Sequence, residues 1–338
     1  MMSNIHNCLI NKDVEYNPIW FMRQAGRYLP EFRKIRQLNK DFTKLCLNKD
    51  LSSEITLQPM KRFDLDAAII FSDILLIPHV LGQTVNFFNG QGPSLKTFDM
   101  DIFKSNNLEI LEKKLSPVYS SLNLTRKKLD KKKSLISFVG APWTLLVYMF
   151  GLKKDKKNNE DIDKIESKYN LKKVIDDLIK YLCFHIEKQV RSGSDIVQIF
   201  DSWAGLIPEN KLIDYCFEPN KKIVNYCKKL KVPSICFPKG IGKNYSDFVK
   251  IVKPEGINID YTMSPDWAKK NLKNVCIQGG MDPKILLGDE KGVLNEVDKY
   301  LSTFKDTPYI FNLGHGILPQ TNPSIIEKII KKVRSYKP

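Results

Sequence analysis

Residues 18–36 read PIWFMRQAGRYLPEFRKIR, and two features of this stretch organise the rest of the chain. It opens on a short apolar run, Ile19-Trp20-Phe21-Met22, and passes at once into a segment holding four of the chain's eight arginines: Arg23, Arg27, Arg33 and Arg36. The other four, Arg62, Arg126, Arg191 and Arg334, are scattered, and elsewhere positive charge is written as lysine. Arginine offers what lysine lacks, a planar and always charged fork that grips carboxylate or phosphate through two bonds. Gly26 lets the backbone bend or a ligand approach closely. Pro30 precedes Glu31-Phe32-Arg33-Lys34-Ile35-Arg36, which reads as the opening of a helix with proline in its first turn. A charged helix start with solvated arginines fits the same letters.

The apolar run is the first of eight. Short runs rich in β-branched residues recur at Ala67–Phe71, Leu135–Val139, Asp195–Phe200, Pro233–Phe237, Gly256–Asp260, Val275–Gln278 and Tyr309–Asn312. Longer segments of helical period lie between them, as in Leu171–Val190, where Val174, Leu178, Leu182, Ile186 and Val190 recur every four residues. Repeated βα units imply an α/β fold around a parallel sheet, and eight of them close a (β/α)8 TIM-type barrel. No linker or composition shift divides the chain, so residues 1–338 are expected to form one domain carrying the arginine-rich segment near its start. Asp101–Lys133 is lysine-rich and helical in character, whereas Gly151–Asn170 is the most polar stretch and reads as a mobile excursion or surface insertion.

Composition excludes several function classes. The longest apolar candidate, Ala67–Gly82, is interrupted by Asp73, Pro78 and His79, so no segment spans a bilayer. The start, MMSNIHNCLINKD, lacks the basic and apolar regions of a signal peptide, and the protein is expected in the cytoplasm. Seven cysteines without a CxxC pair fit reduced thiols better than a disulfide framework. The net charge of +16 would attract any polyanion. Its lysines, however, gather in KKLDKKK (127–133) and KKDKK (153–157) without the interleaved aromatics that stack bases, which argues against nucleic acid.

Barrel chemistry collects where strands end, so polar residues just past the runs are the candidates. Asp73 follows Ala67–Phe71 and Ser72, an acid costly to bury unless it meets a cation or N–H donors; a helix N-cap is the alternative role. Tyr148 lies in GAPWTLLVYM, either donating its phenol to a carboxylate or packing. Ser202 follows Asp195–Phe200 without a GxSxG elbow, which favours hydrogen bonding over nucleophilic attack. His315 stands between Gly314 and Gly316 after the last run, a context that presents an imidazole on a tight loop. His6, His79 and His185 lack such a context.

The run MRQAGRYLPEFR resembles the N-terminal signature of the uroporphyrinogen decarboxylase family. FSDIL at 71–75, GAPWTLLVYM at 140–149, DSWAG at 201–205 and NLGHGILP at 312–319 extend the resemblance over nearly the whole chain. It implies a barrel enzyme, dimeric, with no cofactor and no metal, that removes carbon dioxide from the acetate arms of an anionic tetrapyrrole. It further implies that Arg23, Arg27 and Arg36 bind substrate carboxylates, with Gln24, Ala25 and Gly26 in the same substrate-binding segment. Asp73 would face the pyrrole N–H groups, and Tyr148, Ser202 and His315 would line the cleft; Asp73, Arg23 and Arg27 are the catalytic candidates. Two competing readings are a zinc methyltransferase of related fold and a basic protein that sequesters anions. The first needs a His-x-Cys pair and a later Cys, but His315 is followed by Gly316-Ile317 and Cys276 is the last cysteine. The second gains nothing from an acid such as Asp73 in its pocket.

Overall fold

Seven of the eight apolar runs form strands that pair side by side and all parallel. These are β1 (Ala67–Ile69), β4 (Ser134–Gly140), β5 (Ile196–Asp201), β6 (Ser234–Pro238), β7 (Gly256–Ile259), β8 (Cys276–Gly279) and β9 (Tyr309–Ile310), in that spatial order. The computed structural model describes residues 3–15, 17–88, 92–152 and 159–336.

The eighth run closes the ring without becoming a strand. Ile19 bridges Phe311 in parallel, and on its other side its carbonyl accepts from Asp66 N–H at 2.9 Å, one residue before β1. The ladder cannot propagate because Arg23 adopts the left-handed conformation, φ 60°. Side chains supply what the short ladder leaves out: Asp66 Oδ2 accepts from Ile19 N–H at 2.7 Å, and Asn312 Oδ1 from Met22 N–H at 3.2 Å. Parallel strands need helical crossovers, and amphipathic helices such as Leu171–Arg191 supply them, burying Val174, Leu178, Leu182 and Ile186. His185 on the same helix is buried, shares a 3.0 Å hydrogen bond with the Tyr119 hydroxyl, and is a packing residue.

The barrel interior is layered. Helix Asn4–Ile10 plugs the bottom with Ile5, Cys8 and Leu9, packed in one cluster with Trp20, Ile136, Ile196, Ile235 and Ile310. Above this lies a fully buried polar layer. Gln278 donates to Gln198 Oε1 at 3.1 Å and to Asn258 Oδ1 at 2.7 Å, and accepts from the Trp20 indole at 2.9 Å. Gln278 is fully satisfied by this network, whereas the Gln198 amide donates to nothing among the described residues. Nearer the top stand three phenylalanines, with Phe138–Phe200 and Phe200–Phe237 ring centroids 5.6 and 6.4 Å apart.

A hairpin of β2 (Val85–Phe88) and β3 (Gly92–Leu95) rises after β1, outside the eight-run count. In the polar stretch 151–170, residues 153–158 lie outside the described residues, and Asn159–Lys168 is a helix docked on the body of the protein, as a surface insertion would be rather than a mobile excursion. Lys211 reaches its Glu166 at 2.8 Å, and the Tyr215 hydroxyl donates to the same carboxylate.

Candidate active site

The candidate residues emerge where the strands end. Asp73 sits two residues past Phe71, at the carboxyl end of β1. Its Oδ1 accepts from Leu75 N–H at 2.8 Å, a local turn before helix Leu76–Val80, whose N-cap is Leu75 rather than Asp73. Oδ2 bonds nothing among the described residues and is left to the cleft. Burial pushes the carboxyl up to about 6, partly offset by the Leu75 N–H and by the positive charge of Arg23. An acid held this way is ionised at neutral pH yet poorly solvated, the state in which it responds most to a cation forming beside it.

Arg23 and Arg27 lie on the loop between Met22 and helix Pro30–Leu38, and both side chains are exposed. Neither forms an ion pair among the described residues, although several acids of the chain do elsewhere. The loop is held tightly. Arg33 donates to the carbonyls of Arg27 and Tyr28 at 3.0 and 3.1 Å, and the Tyr28 hydroxyl donates to Gln24 O at 2.9 Å. Gly26 is required by space, since a Cβ there would stand 2.7 Å from Arg23 O. Ala25 and Gly26 are half-buried on this loop. Gln24 belongs to the fold instead: its side chain is fully buried, donating to Ala67 O at 2.9 Å and accepting from Phe21 N–H at 3.1 Å. Its side chain therefore holds the loop against β1 and offers no group to a ligand.

Arg36, near the end of helix Pro30–Leu38, is also engaged. Its Nη1 donates to Asn39 O and to Lys40 O, and the guanidinium lies 5.5 Å from the Phe42 ring centroid. Unlike Arg23 and Arg27, it has chain carbonyls as partners.

Tyr148 and Ser202 are brought together by a buried acid that the sequence did not single out. Asp201, the last residue of β5, accepts from Thr144 at 2.7 Å and from Asn220 at 3.1 Å. Thr144 lies on helix Pro142–Met149, which carries Tyr148, and its hydroxyl accepts from Trp203 N–H at 3.1 Å. The Trp203 ring stands edge-on to Tyr148 at 6.1 Å. Burial raises the phenol of Tyr148, with the Asp73 charge acting in the same direction, so it stays protonated and able to donate. Ser202 is half-buried, its hydroxyl unbonded among the described residues.

His315 follows β9. Its Nδ1 accepts from Gly316 N–H at 2.7 Å, which assigns the proton of the neutral ring to Nε2. Burial, then the charges of Arg23 and Lys239, lower it to about 4, so it is a neutral hydrogen-bond donor throughout the physiological range. Gly316 makes room for Arg23: a Cβ there would meet its Cδ at 2.5 Å and Cγ at 2.7 Å. Electrostatic coupling thus links Arg23 to Asp73, Tyr148 and His315. The sequence reading missed Phe138 and Phe200, half-buried among fully buried strand neighbours. Strand alternation places them on the inner face above Ile136 and Ile196, as an apolar floor.

These candidates combine a buried acid, exposed arginines, neutral donors and, on the inner face of the barrel, a set of aromatic rings. Among the described residues no three His, Cys, Asp or Glu side chains are grouped to hold a metal ion. Comparisons with known proteins identify the family. Residues 2–336 match the family model described as uroporphyrinogen decarboxylase. A uroporphyrinogen decarboxylase of Orientia tsutsugamushi (strain Ikeda) is 41% identical, covering 99% of both chains. One of Rickettsia bellii (strain RML369-C) is also 41% identical, over 94% of this chain and 95% of its own. Among solved structures, a methyltransferase from Methanosarcina mazei superposes with a TM-score of 0.75 at 13% identity, covering 97% of this chain and 96% of its own, which is a likeness of fold. With a family match spanning nearly every residue and relatives alike from end to end, the chain belongs to the uroporphyrinogen decarboxylase family.

Proposed function

We propose that the protein is a uroporphyrinogen decarboxylase that converts the four acetate arms of its tetrapyrrole to methyl groups, giving coproporphyrinogen without a cofactor. The observation that carries this reading is Asp73, buried and with one carboxylate oxygen without a partner among the described residues, under the positive charge of Arg23, which has no counter-ion among those residues.

The chemistry follows from charge. Losing carbon dioxide leaves an electron pair on carbon, for which many enzymes bring a cofactor as sink. An electron-rich pyrrole can act as the sink once its ring is protonated, because the resulting iminium-like cation accepts the pair as the carbon–carboxylate bond breaks. Protonation of the exocyclic carbon and loss of the proton first added to the ring then leave a methyl group on a neutral pyrrole, one proton being consumed for each carbon dioxide released. Asp73 then stabilises the positive ring by its fixed charge and holds the pyrrole N–H groups at its free oxygen. Arg23 and Arg27 anchor carboxylate arms, each charge-assisted bond contributing about 1.5–3 kcal/mol. Tyr148 and His315 supply neutral O–H and N–H donors, Ser202 a further hydroxyl, and Arg36 contributes only by releasing its carbonyl partners. An arginine is a poor proton donor, since its pKa exceeds about 12.

We read the described elements as one catalytic domain, acting as a homodimer in the cytoplasm. No helix among the described residues is long and apolar enough to cross a membrane. Anaerobic incubation with uroporphyrinogen in metal-free, cofactor-free buffer, with products resolved by carboxylate number, tests the reading. Stepwise loss of four carboxylates is expected, and no product would overturn it.

A further inference from the structure

One cation at the barrel mouth is left unused by the site as described. Lys239 follows β6 directly, and β6 is the fourth strand in either direction around the ring from the run that ends at Met22 and delivers Arg23. The two residues therefore stand on opposite sides of the mouth. Both bear on the same histidine, since the charges of Arg23 and Lys239 each act on His315.

The surroundings of Lys239 hold it in place without neutralising it. Its main chain is pinned, the N–H donating to Asp201 O at 3.1 Å and the carbonyl accepting from Gly205 N–H at 2.9 Å. The side chain is half-buried, with Nζ 6.0 Å from the ring centroid of Tyr261. No described carboxylate forms an ion pair with it. The nearby acid, Asp260, is already occupied: Oδ2 accepts from Gly240 N–H at 2.8 Å and Tyr245 at 3.1 Å, and Oδ1 from Thr262 N–H at 2.9 Å. Elsewhere lysines such as Lys211 and Lys222 take acids as partners. A half-buried ammonium without a counter-ion among the described residues, standing at the mouth of the barrel, is completed by an anion arriving from outside.

Building on the decarboxylase reading, we infer that Lys239 is a substrate-anchoring residue that binds a side-arm carboxylate on the part of the macrocycle farthest from the Arg23 side. A tetrapyrrole carrying carboxylates around its whole rim needs cations at both sides of the mouth to lie flat over the aromatic floor. Arg23 and Arg27 serve one side and Lys239 the other. Its grip acts equally before and during reaction of the ring at Asp73, so it contributes uniform binding and sets KM more than kcat.

Steady-state kinetics of Lys239→Met and Lys239→Arg, on the first decarboxylation, test this. Methionine keeps the stem over Tyr261 and removes only the charge. Its KM should rise about tenfold with kcat within about twofold, arginine should restore KM to within about threefold, and the advantage of the wild type should shrink at high salt. A KM for Lys239→Met within about twofold of wild type would overturn the role of Lys239 and leave the decarboxylase reading standing. Wild-type protein without turnover would overturn that reading, and this inference with it.

Discussion

Arg23 bears on Asp73 without closing an ion pair: its charge lowers the acid's pKa, yet burial dominates and leaves the carboxyl at about 6. The acid is therefore held at a cost to the fold. Unfolded, it ionises near 3.8; folded, near 6, so between these values the native state keeps a proton that the unfolded chain releases. Stability is lost as pH rises through that window and the full cost is present above it. Asp73→Asn keeps the acceptor for Leu75 N–H and removes the charge. It should stabilise the protein by roughly 3 kcal/mol at pH 7–8 and by little below pH 4, as thermal melts at the two pH values would show.

The same titration should appear in catalysis. Protonating Asp73 removes the charge that faces the ring, so kcat/KM should fall below a midpoint near pH 6. His315, lowered to about 4, is neutral on both sides of that midpoint. The acid limb should accordingly persist in His315→Gln and flatten in Asp73→Asn. A limb that vanishes with the histidine would assign it to the wrong group.

Gly316 should be as exacting as a catalytic residue although it carries no functional group. A methyl there meets Arg23 Cδ at 2.5 Å, and Arg23 must move. Gly316→Ala should lower kcat/KM by about tenfold or more while the thermal midpoint changes little, because displacing an anchoring group by about 1 Å is expensive in rate. Gly316→Ala kinetics matching wild type would show that Arg23 is not held where its chemistry requires.

Arg33 acts on the site only through the backbone, by bonding the carbonyls of Arg27 and Tyr28. Arg33→Met should loosen the loop that aims Arg27 and raise KM by about three- to tenfold, with kcat less affected. Arg33→Lys should recover part of this loss. A change confined to kcat would contradict the positioning role.

How legible this was in the sequence depended on whether the determinant is local. Strand runs and the loops after them are contiguous features, and seven runs became strands close to their expected bounds. The first run kept its place in the ring but not its strand character, because Asp66 and Asn312, distant in sequence, take over its hydrogen bonds. The positions of Asp73 and His315 at strand ends were readable from the residues beside them, whereas Asp201 was not, since its meaning lies in Thr144 and Asn220. The alternation that sets Phe138 and Phe200 inside the barrel was present in the letters, but only burial on a closed ring tells inner face from outer. Gln24 shows the converse, a polar residue inside the most informative segment that serves the fold.

The most direct measurement is anaerobic turnover of uroporphyrinogen by wild type, Asp73→Asn and Arg27→Ala side by side in metal-free, cofactor-free buffer, with substrate binding measured on the same samples. The wild type should release four carbon dioxide molecules per substrate. Asp73→Asn should bind within about threefold of wild type while kcat falls about 100-fold or more, and Arg27→Ala should lose both binding and rate. Wild-type turnover by Asp73→Asn would contradict the claim that this single carboxylate stabilises the protonated ring.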